Sequence, residues 1–156
     1  SNLRSILEAL NVLSIEKNIP VILPLHPRTT AIVERLRAEN VPELNAPSSQ
    51  LKMIPAVSFM DMLNLESEAS VILTDSGGVQ KEAWFMEKPV VVVRNETEWV
   101  EIISSGNGTL TGASTEKIIQ ATRKYLETPP QHFPPLFGNG QAAREILKVL
   151  TTTEWI

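Results

Sequence analysis

The sequence predicts an α/β domain built on a mostly parallel, doubly wound sheet, and three observations carry that prediction. Short β-branched apolar runs alternate with stretches of helical periodicity, so strand follows helix along the chain. The strands read as continuous apolar segments, such as Val21-Ile22-Leu23 and Val90-Val91-Val92-Val93, which marks burial on both faces. Polar clusters stand where those strands end, the edge at which open α/β sheets hold ligands.

Leu3, Ile6, Leu7, Leu10 and Leu13 recur at helical spacing and define a first helix that ends near Asn18-Ile19-Pro20. The chain enters on this helix with no strand before it, and Ser1-Asn2 has the form of a cloning remnant. We therefore read an excised piece whose preceding segments are missing. Val21 to Leu25 is the first strand, with His26-Pro27-Arg28 at its C-terminal edge. Ile32, Val33 and Leu36 mark a helix from Thr29 to about Asn40. The polar loop Ala46-Pro47-Ser48-Ser49-Gln50 then leads to a strand from Leu51 to Ile54.

Ser58 to Asp61 reads as a capping box, with Val57 and Met62 placed as a hydrophobic staple, so a helix starts at Phe59 and runs to about Ser67. Ser70 to Thr74 is a strand, Asp75-Ser76-Gly77-Gly78 a tight turn, and Val79 to about Glu87 a helix closed by Lys88-Pro89. Val90 to Val93 forms another buried strand, Arg94 to Glu98 its polar exit, and Thr109 to Thr111 a last short strand. Helices from about Thr115 to Leu126 and from about Gly140 to Leu150 finish the chain, the latter on Ala143, Ile146, Leu147 and Leu150. The proline-rich segment Thr128 to Phe137 crosses between them. This alternation requires right-handed crossovers and gives a Rossmann-like architecture.

Composition narrows the function. A chain of 156 residues with 42% hydrophobic content supports one domain. No run approaches the ~20 apolar residues of a membrane span, and no leader of the signal-peptide kind opens the chain. With 0 Cys there is no disulfide framework or thiolate metal site, which suits a reducing cytoplasm. The Asn-x-Thr sequons at Asn95 and Asn107 are then chance matches. A net charge of −4 without a basic block argues against nucleic acid as a partner.

Three clusters converge at the strand ends: His26-Pro27-Arg28, Asp75 to Glu82, and Arg94 to Glu101. In the second, two glycines at a strand-to-helix turn let backbone approach a ligand, and the first N–H groups of the helix are unpaired and partly positive. Ser76 adds a hydroxyl, so the turn suits a diphosphate. Glu82 lies four residues after Gly78, on the same helical face and roughly 6 Å further along the axis. A carboxylate there suits two adjacent ribose hydroxyls, which donate to it. Neither Gly-x-x-x-x-Gly-Lys-Ser/Thr nor Gly-x-Gly-x-x-Gly is present, which weakens ATP-hydrolysis and NAD readings. The bland alternative is that Ser76-Gly77-Gly78 caps a helix and leaves Glu82 in solvent.

Thr74-Asp75-Ser76-Gly77-Gly78-Val79-Gln80-Lys81-Glu82-Ala83, then Lys88-Pro89-Val90 and Arg94-Asn95-Glu96-Thr97-Glu98-Trp99-Val100-Glu101, closely resembles the C-terminal half of non-hydrolysing UDP-N-acetylglucosamine 2-epimerases. The resemblance extends to Pro24-Leu25-His26-Pro27, to Gly106-Asn107 through Gly112, and to Phe137-Gly138-Asn139-Gly140-Gln141-Ala142. It implies the second domain of a GT-B-type two-domain enzyme. Ser76, Gly77 and Gly78 would cradle the UDP diphosphate, and Glu82 would hold the ribose. Met62 would pack on uracil, with nearby backbone reading the base edge. His26 would face the interdomain cleft at an active-site or regulatory position. Read singly, Met62 at helical spacing is more often a core residue, and a lone histidine after a strand such as His26 is more often structural. Thr97 and Glu98 would face the cleft, with Arg94 either a ligand or an ion-pair partner.

Trp99 stands where many members carry an arginine, and the Thr-Glu-Trp-Val-Glu version resembles a subgroup that includes enzymes acting on diacetamido sugar nucleotides. The resemblance further implies that UDP leaves to give a 2-acetamidoglucal and then re-adds after reprotonation at C2. Neither metal nor nicotinamide would be required. The proton-transferring groups would come from the N-terminal domain, so no catalytic acid or base is assigned here and the isolated chain is expected to be inactive. Expected partners are UDP, a UDP-N-acetylhexosamine and the N-terminal domain, in a cytoplasmic homodimer. The alternatives are a GT-B glycosyltransferase nucleotide-binding domain and a non-enzymatic sugar-nucleotide sensor. A phosphoacceptor response-regulator domain lacks the acidic pair expected after its first strand.

Overall fold

The computed structural model describes residues 2–39 and 50–152. The expected end of the second helix at Asn40 and the polar loop 46–49 lie outside them. The elements follow in order as α1 (Asn2–Glu16), β1 (Val21–Leu25), α2 (Pro27–Ala38), β2 (Leu51–Pro55), α3 (Phe59–Glu68), β3 (Ile72–Thr74), α4 (Gly77–Phe85), β4 (Val90–Val92), α5 (Val100–Ser104), β5 (Gly108–Leu110), α6 (Thr115–Glu127) and α7 (Ala142–Thr152). The helix α5 is absent from the sequence reading, which gives Arg94 to Glu98 as a polar exit and Arg94 to Glu101 as a polar cluster. Five residues are too few to display a helical period.

All strand pairs are parallel, as strand–helix alternation requires. Val21 pairs with Leu51 to begin a β1–β2 sheet, and β3, β4 and β5 form a second, with Ile72 opposite Val90 and Val90 opposite Gly108. Among the described residues no ladder joins the pair to the triplet. The expected strand from Ser70 is trimmed to Ile72–Thr74. Helix α1 spans the junction, with Leu7 in the cluster of Leu25, Val33 and Leu36, and Leu13 in a cluster that includes Leu73.

The β4 valines show why the run reads as continuously apolar. Val90 and Val92 join Ile72, Ala83, Trp84 and Ile102 on one face, while Val91 packs with Ala121 and Tyr125 on the other. Successive side chains of a strand point to opposite faces, so a strand covered on both sides has no polar position to offer. The proline-rich segment closes the first face, where Phe133 and Phe137 meet the Trp84 ring edge-on at centroid distances of 5.3 and 6.1 Å.

Helix α7 departs from its expectation. It forms, but Ile146, Leu147 and Leu150 are exposed, so among the described residues its apolar stripe covers no core. Buried Asn107 donates through Nδ2 to the His132 carbonyl at 2.8 Å. Its sequon is therefore committed to packing.

Candidate functional site

Capping places the walls of the site. At the end of β1, His26 takes the N-cap of α2, and its Nδ1 accepts from the Arg28 N–H at 3.3 Å. An accepting Nδ1 leaves the ring proton on Nε2 in the neutral form. After β2, Ser58 caps α3 by accepting from the Asp61 N–H at 3.2 Å, and its hydroxyl donates to Asp61 Oδ2 at 2.7 Å. The expected box is thus present in altered form, since the Asp61 carboxylate engages the hydroxyl. After β3, Ser76 caps α4 by accepting from the Val79 N–H at 3.4 Å, while its own N–H donates to Thr74 Oγ1 at 3.0 Å.

This last cap corrects the expected turn. The helix begins at Gly77, two residues earlier than the sequence reading placed it. Neither Gly77 nor Gly78 has a positive φ, so the glycines serve space rather than an unusual backbone. A Cβ on Gly77 would stand 3.2 Å from Glu98 Oε2 and 3.5 Å from Trp99 Nε1, whereas a Cβ on Gly78 would meet only Ser76 Oγ, at 3.7 Å. Gly77 is closed in by its neighbours, and Gly78 is open. As the first two residues of α4, both present N–H groups without a carbonyl acceptor inside the helix.

These three caps surround an open hollow of about 370 Å³ at the C-terminal strand edges. His26, Ser58, Phe59, Met62, Ser76, Gly78 and Glu82 border it, so four of the predicted positions meet on its wall together with the histidine of the first cluster. Met62 is half-buried there, which gives it both an inner and an outer contact surface. Phe59, unassigned from sequence, is 66% exposed at the start of α3 and offers an aromatic face on the same rim.

The third cluster does not reach this hollow. Thr97 is turned inward, where Oγ1 donates to Gln80 Oε1 at 2.5 Å and accepts from the Trp99 N–H at 3.1 Å. Arg94 grips Glu98 through two nitrogens at 3.1 Å, so the ion-pair reading of Arg94 holds in this structure. The amide of Glu98 itself and then the Arg94 guanidinium hold the Glu98 carboxyl below its usual range. Arg94 also borders a separate hollow with Asn95, Glu96 and Gly112. What this loop does for the site is support it. The Trp99 indole donates to the Gly77 carbonyl at 2.8 Å, and its ring meets Phe137 edge-on. Lys81 lies 4.4 Å over the Trp99 ring and 4.7 Å over Phe137.

Two residues missed from sequence stand directly behind the wall. Gln80 is fully buried and joins the Ser76 carbonyl, through Nε2 at 3.3 Å, to Thr97. Glu66, one turn beyond Met62 on α3, is 3% exposed beside Glu82. Burial first and the Glu82 charge second push its carboxyl up to about 7. A charge on the helical face that also carries Met62 was the available signal.

A family model described as UDP-N-acetylglucosamine 2-epimerase matches residues 1–151. The chain belongs to the UDP-N-acetylglucosamine 2-epimerase family. It is 40% identical over 148 residues to the UDP-2,3-diacetamido-2,3-dideoxy-D-glucuronate 2-epimerase of Pseudomonas aeruginosa, covering 95% of this chain and 39% of that protein. With the UDP-N-acetylglucosamine 2-epimerase of Methanocaldococcus jannaschii it shares 36% identity over 131 residues, or 84% of this chain and 35% of that one. The solved structure of the Methanocaldococcus jannaschii UDP-GlcNAc 2-epimerase in complex with UDP-GlcNAc and UDP matches with a TM-score of 0.80 at 32% identity. That match covers 97% of this chain and 41% of the other, so this epimerase-family chain spans about two fifths of the length of such relatives.

Proposed function

We propose that this chain is the UDP-holding part of an epimerase that inverts C2 of a UDP-linked N-acetylhexosamine. The observation that carries the reading is one wall with two chemistries in series. Ser76 and Gly78 stand at the N-terminus of α4, and Glu82 lies one turn further along the same hollow. Helix N-terminal donors favour a diphosphate, and a carboxylate one turn on accepts from two vicinal hydroxyls. Met62 and Phe59 border the same hollow and provide an apolar face for a base.

In the proposed reaction the C1–O bond to UDP breaks as a proton leaves C2, giving UDP and a 2-acetamidoglucal. A proton then returns to C2 from the other side and the C1–O bond re-forms. The contribution of this chain is to the leaving group. Donors fixed at the start of α4 stabilise the negative charge that grows on the diphosphate, and they do so without reorganising. We assign the proton transfers to the N-terminal domain of the same enzyme, so the isolated chain turns over no substrate. A diacetamido sugar nucleotide is a second reading of the substrate, favoured by Trp99 and by the name of the Pseudomonas aeruginosa relative.

Calorimetric titration with UDP, against UMP, ADP and NAD, tests the reading. UDP-selective binding that disappears in a Ser76→Ala, Glu82→Ala variant supports it. Equal affinity for ADP and UDP, or binding unaltered by the two substitutions, refutes it.

A further inference from the structure

Glu66 and Glu82 present an electrostatic problem that the two helices leave open. Glu66 is almost fully buried on α3, and neither of its carboxyl oxygens has a hydrogen-bond partner among the described residues. The group that acts on it is another carboxylate, Glu82 of α4, which borders the hollow. Two ionised carboxylates are acceptors only, so a direct hydrogen bond between them requires a proton on one. The other charges nearby are committed or turned elsewhere. On α4, Lys81 lies over Trp99 and Phe137; on α3, Asp61 is tied to Ser58 and Glu68 faces solvent. Asp75 on the turn and His26 on the rim are both exposed.

We propose that Glu66 is a positioning residue of the ribose subsite: it retains one proton, donates it to Glu82, and so fixes which Glu82 oxygens remain free to accept from the ribose hydroxyls. The inference rests on the reading that Glu82 holds the ribose. The inner, buried member of such a pair is the one that keeps the proton, because ionisation is costliest away from water. Glu82, on the wet side, borders the hollow. A burial-raised carboxyl that reaches about 7 makes this arrangement dependent on pH near neutrality. Below that value the pair holds one negative charge and Glu82 is oriented; above it the second charge repels Glu82 from its place.

The test compares UDP affinity at pH 6 and pH 8.5 in the wild-type chain, Glu66→Gln and Glu66→Met. The terminal phosphate of UDP titrates alike with all three proteins, so it cancels in the ratios between them. The Gln amide donates at every pH, and Met never donates. We expect the wild type to lose roughly tenfold more affinity than Glu66→Gln over this interval. Glu66→Gln should match the wild type at pH 6, and Glu66→Met should bind more weakly at both values. Superimposable wild-type and Gln profiles overturn the inference while leaving the UDP reading intact. If the folded wild type binds no UDP at any pH, the UDP reading fails, and the pair is then judged by the ¹³C shift of the Glu66 carboxyl. A midpoint near 7 that returns toward the ordinary carboxylate range in Glu82→Gln supports the shared proton; an ordinary midpoint in the wild type overturns it.

Discussion

The Thr97 hydroxyl donates to the Gln80 amide oxygen at 2.5 Å, tying the loop after β4 to the first turn of α4. The same oxygen accepts from the Trp99 amide, so one hydroxyl satisfies two partners. Thr97→Val keeps the shape and removes both bonds, leaving a fully buried Gln80 oxygen unpaired. We expect a loss of about 2 kcal/mol in urea denaturation and a severalfold weaker affinity for UDP, with Thr97→Ser close to wild type. Wild-type stability in Thr97→Val would show that the bond is incidental.

The two glycines of α4 should separate stability from binding. Gly77→Ala places a methyl 3.2 Å from Glu98 Oε2 and 3.5 Å from Trp99 Nε1, so melting temperature should fall. Gly78→Ala meets only Ser76 Oγ at 3.7 Å, and alanine inside a helix is favoured by about 0.5–1 kcal/mol. Its melting temperature should hold or rise while UDP affinity drops about tenfold, because the methyl enters the space assigned to the diphosphate. Unchanged affinity in Gly78→Ala would move the diphosphate away from this turn.

The raised Glu66 carboxyl predicts a sign for stability against pH. Its ordinary value is 4.5 and its folded value about 7, so the folded state holds the extra proton between them. The contribution is fully present below 4.5 and is lost as pH rises through 7. Glu98 and Glu127, held below their ordinary values, act oppositely and lose their contribution only as pH falls below 4.5. The wild-type stability minus that of Glu66→Gln isolates the first effect. It should decline by about 1–3 kcal/mol between pH 5 and pH 8, as read from chemical denaturation; a flat difference would deny the shift.

Phe59 offers a further separation. At 66% exposure its ring contributes little to the core, so Phe59→Ala should leave the denaturation midpoint nearly unchanged. If the ring supports a base, the affinity for UDP should fall by about 1–3 kcal/mol, with affinity for inorganic diphosphate unaffected. Equal losses for both ligands would show that Phe59 shapes the loop rather than contacts a base.

The element order was legible because two-sided burial and helical stripes write themselves into hydrophobic periodicity. Ser76, Gly78, Glu82 and His26 were legible as a group because strand ends converge at one edge of a parallel sheet, whereas Met62 was legible only through the family resemblance. What stayed hidden depends on packing between elements. Thr97 looks as polar as a ligand, and only its docking on Gln80 shows that it faces inward. Glu66 looks like one more acid on an exposed helix until α4 covers it. The stripe of α7 reads as core, yet periodicity states which side is apolar and not whether anything lies against it.

The Trp99 indole, bonded to the carbonyl of the first residue of α4 and overlain by the Lys81 ammonium, also makes this turn optically legible. Indole emission responds to charges placed near the ring, and a dianion arriving at the head of α4 would change the charge around Trp99. Trp84, sealed in the core, supplies a steady reference once Trp155, the third tryptophan of the sequence, is replaced. The chain thus carries an intrinsic, label-free gauge of events at the turn before α4, set one hydrogen bond away from the backbone proposed to meet the ligand.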